Sequence, residues 1–171
     1  MATNPGTDQQ DFILGTNTAD TLSGGFSSDQ IFGLAGDDIL SGGFQNDTIN
    51  GDVGSDAISG GSGSDNIQGG AGADSINAGT GDDMIMAWGP ADSDGDVVDG
   101  GLGFDTLSLM FEDDATALTF VAPDPIAQST LAGGIKVTNV EQFMIVGTNF
   151  ADTITGGRGM TSSTEGLATT R

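Results

Sequence analysis

An aliphatic residue returns every nine residues through the first half of the chain, and a glycine-rich hexapeptide separates most of these positions. A triplet centred on an aliphatic predicts a short strand, with its central side chain on one face and its neighbours on the other. The hexapeptides, rich in Gly, Ser, Asn and Asp, predict turns. The nine aliphatic positions are Ile13, Leu22, Ile31, Leu40, Ile49, Ile58, Ile67, Ile76 and Ile85.

Two strands and two turns close a coil in eighteen residues, so alternate aliphatics fall on opposite walls. Ile13 and Ile31 begin one wall, Leu22 and Leu40 begin the other, and we expect the two walls to meet as the core. A fixed internal period of this kind is typical of a solenoid. Permanent disorder is the alternative, but disordered tracts do not keep apolar residues in phase. The pattern therefore predicts an all-β solenoid.

The period defines segments along the chain. It slips by four residues near 86–95, and glycines thin out and alternating apolar residues appear in 108–146. We interpret that stretch as a β-rich excursion or wider coils of the same solenoid. The predicted segments are a polar lead-in at 1–10, the repeat at 11–107, the excursion at 108–146, a returning repeat at 147–159 and a tail at 160–171.

An aspartate stands two residues before each aliphatic, from Asp11 to Asp83. Stacked coils lie about 4.8 Å apart, and two like charges at that distance repel by about 3 kcal/mol at a surface-like dielectric near 20. We expect two columns of aspartates on opposite edges, and a solenoid that does not hold without a cation. Folding and metal binding then become one equilibrium. We expect calcium to be missing at 86–95 and 108–146, where the series breaks.

Charge sets the class of partner. The 171 residues carry 25 acidic against 3 basic side chains, a net charge of −22. Nucleic acid needs a basic footprint, so it is excluded as a partner. The charge also argues against an anionic membrane surface, which attracts Lys and Arg. No apolar run approaches the roughly 18 residues of a membrane span, and Met1 to Gln10 lacks the features of a signal peptide. The expected partners are cations.

Cys and His are both absent from the sequence. Thiolate sites, imidazole ligands and Ser-His-Asp triads are therefore impossible, and neither HExxH nor GxSxG occurs, so we expect no catalytic residues and no enzyme activity. Carboxylates and turn carbonyls are hard oxygen ligands, which suit Ca²⁺ or Mg²⁺. Ca²⁺ accepts about 6–8 oxygens in flexible geometry, whereas Mg²⁺ tends to keep its waters. We predict several bound calcium ions.

Gly69-Gly70-Ala71-Gly72-Ala73-Asp74-Ser75-Ile76-Asn77 is the unit nearest to an ideal repeat. It resembles the RTX, or hemolysin-type, calcium-binding nonapeptide, and similar units cover residues 11–107 and 147–157. The resemblance implies a right-handed parallel β-roll, with calcium between neighbouring turns held by the unit aspartate and turn carbonyls. The units containing Phe26 and Phe44 depart from the motif because they lack its middle glycine. The implied metal ligands are Asp11, Asp20, Asp29, Asp38, Asp47, Asp56, Asp65, Asp74, Asp83, Asp96, Asp105 and Asp152.

Three functions follow as hypotheses. The first is a calcium-binding structural module that folds from disorder on meeting extracellular Ca²⁺; the resemblance implies export by type I secretion. The second is a self-assembling extracellular filament, surface layer or biofilm matrix protein, built by end-to-end stacking of solenoids into a homo-oligomer. The third is an accessory domain of a secreted protease or lipase, whose catalytic part would lie on another segment.

Overall fold

The structure is a computed structural model that describes residues 3–88, 95–110, 119–121, 129–130, 135–146, 153–155 and 160–162. Every regular element among these residues is a β-strand. The described part of the chain contains no helix that could cross a membrane. The predicted all-β class is confirmed.

Eighteen strands follow one another in the described residues. They are β1 (Thr3–Asn4), β2 (Phe12–Leu14), β3 (Thr21–Gly25), β4 (Gln30–Phe32), β5 (Ile39–Phe44), β6 (Thr48–Val53), β7 (Ala57–Ser62), β8 (Asn66–Ala71), β9 (Ser75–Thr80), β10 (Met84–Trp88), β11 (Val97–Leu102), β12 (Thr106–Met110), β13 (Thr119–Val121), β14 (Ser129–Thr130), β15 (Lys136–Thr138), β16 (Gln142–Val146), β17 (Thr153–Thr155) and β18 (Met160–Ser162).

From β1 to β12, successive strands alternate between two eight-stranded sheets. One sheet has the order β1-β3-β5-β7-β9-β11-β15-β14, and the other has the order β18-β16-β12-β10-β8-β6-β4-β2. The repeat strands pair in parallel with a register of eighteen residues, as Ile31 with Ile49 and Leu40 with Ile58. This is the predicted β-solenoid, and a separate parallel pair joins β13 to β17.

The core is the pair of apolar walls predicted from the nine-residue period. All nine aliphatics from Ile13 to Ile85 are at most 3% exposed. They alternate between the two sheets, so one row of side chains from each sheet fills the interior. The prediction of two facing walls is confirmed.

Most repeat strands are longer than the predicted triplets, because the first three hexapeptide residues join the ladder. Strands β5 to β9 each contain six residues. In β5 the second hexapeptide residue, Gly43, has φ of 115°. A Cβ at Gly43 would overlap the carbonyl oxygen of Gly25 in the neighbouring strand. Positive φ and the close approach of two backbones both favour glycine. The glycine of the hexapeptide is therefore needed at a position that is still part of the strand.

The solenoid register continues past both interruptions of the period. Ile85 pairs with Leu107, twenty-two residues on, so the turn accommodates four additional residues. Leu107 then pairs with Phe143 and Val98 with Val137, so both sheets continue beyond the strands of the regular repeat. Strands β15 and β16 belong to the same two sheets as the repeat strands.

Candidate metal centre

The repeat aspartates point into the solenoid instead of lining its outer edges. Eleven of the twelve predicted ligands lie in the described residues, and ten of them are at most 2% exposed; Asp11, at the first turn, is partly exposed. We expected the aspartate columns at solvent-exposed edges, and this expectation is wrong because the side chains are buried. Each aspartate directly precedes a strand, which places its side chain on the same side as the buried aliphatic two residues later. The ten buried members are Asp20, Asp29, Asp38, Asp47, Asp56, Asp65, Asp74, Asp83, Asp96 and Asp105.

Carboxylates connect each turn to the next. The main-chain N–H of Asp29 donates to Oδ1 of Asp47 at 2.7 Å, and Asp38 donates in the same way to Asp56 at 2.8 Å. The main-chain carbonyl of Asp29 meanwhile accepts from the N–H of Thr48 at 2.8 Å. Each aspartate thus bonds the next turn through both its amide and its carbonyl. The bonded aspartates form two columns, Asp11–Asp29–Asp47–Asp65–Asp83–Asp105 and Asp20–Asp38–Asp56–Asp74–Asp96.

The second carboxylate oxygen of eight aspartates is buried with no hydrogen-bond partner. A buried polar group without a partner costs about 1–3 kcal/mol, and more when it is charged. Native structures rarely leave such groups, and a bound ion is one accepted explanation for them. The eight atoms are the Oδ2 atoms of Asp29, Asp38, Asp47, Asp56, Asp65, Asp74, Asp83 and Asp105.

Burial makes these carboxylates hard to ionise. Desolvation, partly offset by the N–H bond from Asp38, raises the pKa of Asp56 to about 7, and the like charges of Asp74 and Asp38 add to the rise. Desolvation likewise raises the pKa of Asp47 and of Asp65 to about 6. A cation next to the unpaired oxygens would reverse this effect, because an opposite charge favours the ionised form.

Backbone oxygen and glycine border most of the unpaired atoms. A Cβ added at Gly42 would overlap Asp47 Oδ2 and would lie 2.6 Å from the carbonyl oxygen of Gly60. The same relation holds at Gly24, where Asp29 Oδ2 and the carbonyl of Gly42 are the neighbours. Glycine at the first position of the hexapeptide thus keeps space beside a carboxylate oxygen and a turn carbonyl.

These donors fit calcium. Among the described residues, no three Asp, Glu, His or Cys side chains come together as a metal-binding group. A site built only from side chains is therefore not present in that part of the chain, and carbonyl oxygens would have to complete the shell. Ca²⁺ accepts mixed carboxylate and carbonyl shells of variable geometry, so the buried Oδ2 atoms and the turn carbonyls are a suitable set.

The structure adds one acidic residue that the nine-residue series missed. Glu141 Oε2 accepts the N–H of Asp105 at 2.9 Å, as an aspartate of the next turn does elsewhere. Glu141 stands two residues before buried Phe143, so the spacing of acid and apolar residue in Glu141-Gln142-Phe143 was the available signal. Asp152, by contrast, lies outside the described residues.

A family model for the RTX calcium-binding nonapeptide repeat (4 copies) matches more than half of the chain. The chain therefore belongs to the RTX calcium-binding repeat family. No curated protein matches it. The matches cover residues 5–40, 14–49, 23–58, 33–67, 50–85 and 144–159. Asp96 and Asp105 lie outside these ranges, yet both accept the amide of an aspartate in the preceding turn.

Proposed function

We propose that the chain is a calcium-binding structural module whose solenoid forms as calcium binds. The proposal rests on the eight buried, unpaired Oδ2 atoms, which leave a row of uncompensated charge inside the fold. Bound Ca²⁺ supplies positive charge to these oxygens and links neighbouring turns. In the metal-free chain, ionised carboxylates oppose their own burial, so folding and calcium binding are coupled.

Each residue type has a defined part in this proposal. The aspartate Oδ1 atoms hold the preceding turn, the Oδ2 atoms bind calcium, and the hexapeptide carbonyls complete the shell. Four members of the predicted ligand set need separate comment. Asp96 keeps its place in the second column, Asp152 is proposed on the sequence motif alone, and Asp11 and Asp20 are considered in the next subsection.

We place this activity outside the cell. Proteins with these repeats are typically secreted, and extracellular calcium would act as the folding trigger after export of the unfolded chain by type I secretion. Absence of Cys is compatible with that sequence of events. The repeat is a structural one, so we propose no catalysis by this chain.

Calcium titration of the purified, chelator-treated chain tests the proposal. We expect far-ultraviolet circular dichroism to change from disorder to β-structure as Ca²⁺ rises, and EDTA to reverse the change. Magnesium at the same concentration is the control for ionic strength and charge. No structural response to millimolar calcium would contradict the proposal.

A second candidate function is end-to-end assembly into a filament, a surface layer or a biofilm matrix. Among the described strands, β2 has a single neighbour, β4, and carries Phe12 and Leu14 at 68% and 56% exposure. Strand edges with apolar side chains invite pairing with another chain. Light scattering during the calcium titration separates the two functions, since a module stays monomeric and an assembling protein grows in mass.

A further inference from the structure

The first two repeat aspartates differ from the eight with an unpaired oxygen. Asp20 Oδ2 accepts the main-chain N–H of Thr16 at 2.6 Å and its hydroxyl at 2.8 Å. Asp11 Oδ2 accepts the N–H and the hydroxyl of Thr7 at 2.7 and 2.8 Å. In both turns, groups of the chain itself occupy the oxygen that is unpaired elsewhere.

The two kinds of turn differ in the φ angle of the residue that stands four positions before the aspartate. In all eight turns with an unpaired Oδ2, this residue has positive φ, whether it is Gly43 (115°), Leu34 (78°) or Asp52 (69°). Thr7 and Thr16 stand at the same position and are not among the positive-φ residues. β-branched residues avoid the left-handed region, and hydroxyl side chains readily form such local bonds. Threonine at this position therefore selects the closed form of the turn.

We propose that Thr7 and Thr16 make their turns metal-free, so that the series of calcium ligands begins at Asp29 and not at Asp11. This inference rests on the proposed calcium-binding function and narrows its ligand set. A carboxylate oxygen has two lone pairs, and in Asp20 Oδ2 both are used by donors of Thr16. A cation at that oxygen would have to displace a main-chain amide and a hydroxyl, leaving donors in the turn without an acceptor.

The two threonine turns hold together without an ion. Asp20 N–H donates to Asp38 Oδ1 at 2.7 Å, so the closed turn still bonds the column that follows it. The closed turns would thus present an ordered edge on which calcium-dependent turns can build.

The experiment counts calcium ions bound to the full-length protein by equilibrium dialysis at saturating calcium, with circular dichroism to verify folding. Asp20→Asn is compared with Asp38→Asn, its neighbour in the same column. We expect Asp38→Asn to bind at least one ion fewer than the unchanged protein and Asp20→Asn to bind the same number. Equal loss in the two variants would overturn the inference while leaving the calcium function intact.

Thr16→Gly provides a measurement that does not depend on Asp20→Asn folding. It removes the hydroxyl and permits positive φ, so we expect an additional bound ion. Thr16→Val keeps the β-branch and should leave the number of ions unchanged. An unchanged number in Thr16→Gly would overturn the inference, whereas absence of calcium binding to the unchanged protein would overturn the proposed function itself.

Discussion

The main-chain N–H of Asp47 donates to Oδ1 of Asp65, one turn further along the chain, at 2.8 Å. A carboxylate thus takes the place that a carbonyl has in an ordinary sheet ladder. One oxygen of the side chain maintains the stacking of turns while the other remains unpaired. Structural support and the proposed metal binding are therefore assigned to two different atoms of one residue, and substitutions can separate them.

Asp65→Ala should be more damaging than Asp65→Asn. Alanine removes the acceptor of the Asp47 N–H and the proposed calcium ligand together, whereas asparagine keeps an oxygen for the amide. A buried donor without an acceptor costs about 1–3 kcal/mol, so the two variants should differ by that amount. Chemical denaturation at saturating calcium measures the difference in the free energy of unfolding. Equal stability of the two variants would contradict a supporting function for Oδ1.

Gly42→Ala should weaken calcium binding. The new Cβ would overlap Asp47 Oδ2, so either the carboxylate or the backbone must move. We expect a higher half-saturating calcium concentration and a lower midpoint of thermal unfolding in calcium. Ser59→Ala, at an exposed position of β7, is a control that should leave both values unchanged.

The chain contains a natural counterpart of that substitution. Ala78 stands five residues before Asp83, at the position that Gly42 has before Asp47, and it is fully buried. If the methyl group narrows the space beside Asp83 Oδ2, Ala78→Gly should lower the half-saturating calcium concentration. An unchanged titration curve would mean that this first position does not control access to the carboxylate.

The metal-free solenoid should be more stable in acid than at neutral pH. The pKa of Asp47, Asp65 and Asp105 is raised by desolvation to about 6 in the folded state, and that of Asp56 to about 7, from an ordinary value of 3.8. The folded chain thus binds protons more tightly than the unfolded chain. Stability is greatest below the ordinary pKa and is lost as the pH rises through about 6 to 7. Circular dichroism in EDTA at pH 5 and pH 8 checks this, and greater β-content at pH 8 would contradict it.

Glu141→Ala should loosen the turn at Asp105. Glu141 Oε2 is the acceptor of the Asp105 N–H, and its loss leaves that amide without one. We expect faster hydrogen exchange at the Asp105 amide, with little change at the Asp47 amide several turns away. Glu141→Gln retains an acceptor oxygen and should exchange as the unchanged protein does. Equal exchange in all three proteins would show that the bond is unimportant.

The period in the sequence was sufficient to predict the fold, because one aliphatic per nine residues permits a single arrangement of two facing walls. Ile31 and Leu40 lie in opposite sheets as expected. The inward direction of the aspartates could not be read from the period alone. Asp47 and Ile49 are two residues apart and so share a face of the chain, but a charged residue is expected at the surface unless something inside compensates it.

The two kinds of turn were also hidden in the sequence. The sequence shows that Thr16 stands where another unit has Gly43, but it does not show what the threonine does. The φ angle of Thr16 and its bonds to Asp20 show that this turn is closed. Glu141 was missed because the period had already been broken by a long excursion. Its neighbour Phe143 is an aromatic residue where the repeat has an aliphatic, so neither member of the pair matched the series.

Within the two aspartate columns, the amide-to-carboxylate bonds all run in one direction. Asp29 donates to Asp47 and never the reverse, so a column offers carboxylate oxygens toward its earlier turns and amide hydrogens toward its later ones. The two faces of a turn are consequently unlike, because the column aspartates present carboxylate oxygens on one face and their amides and carbonyls on the other. Another copy that continued these bonds would have to join head to tail.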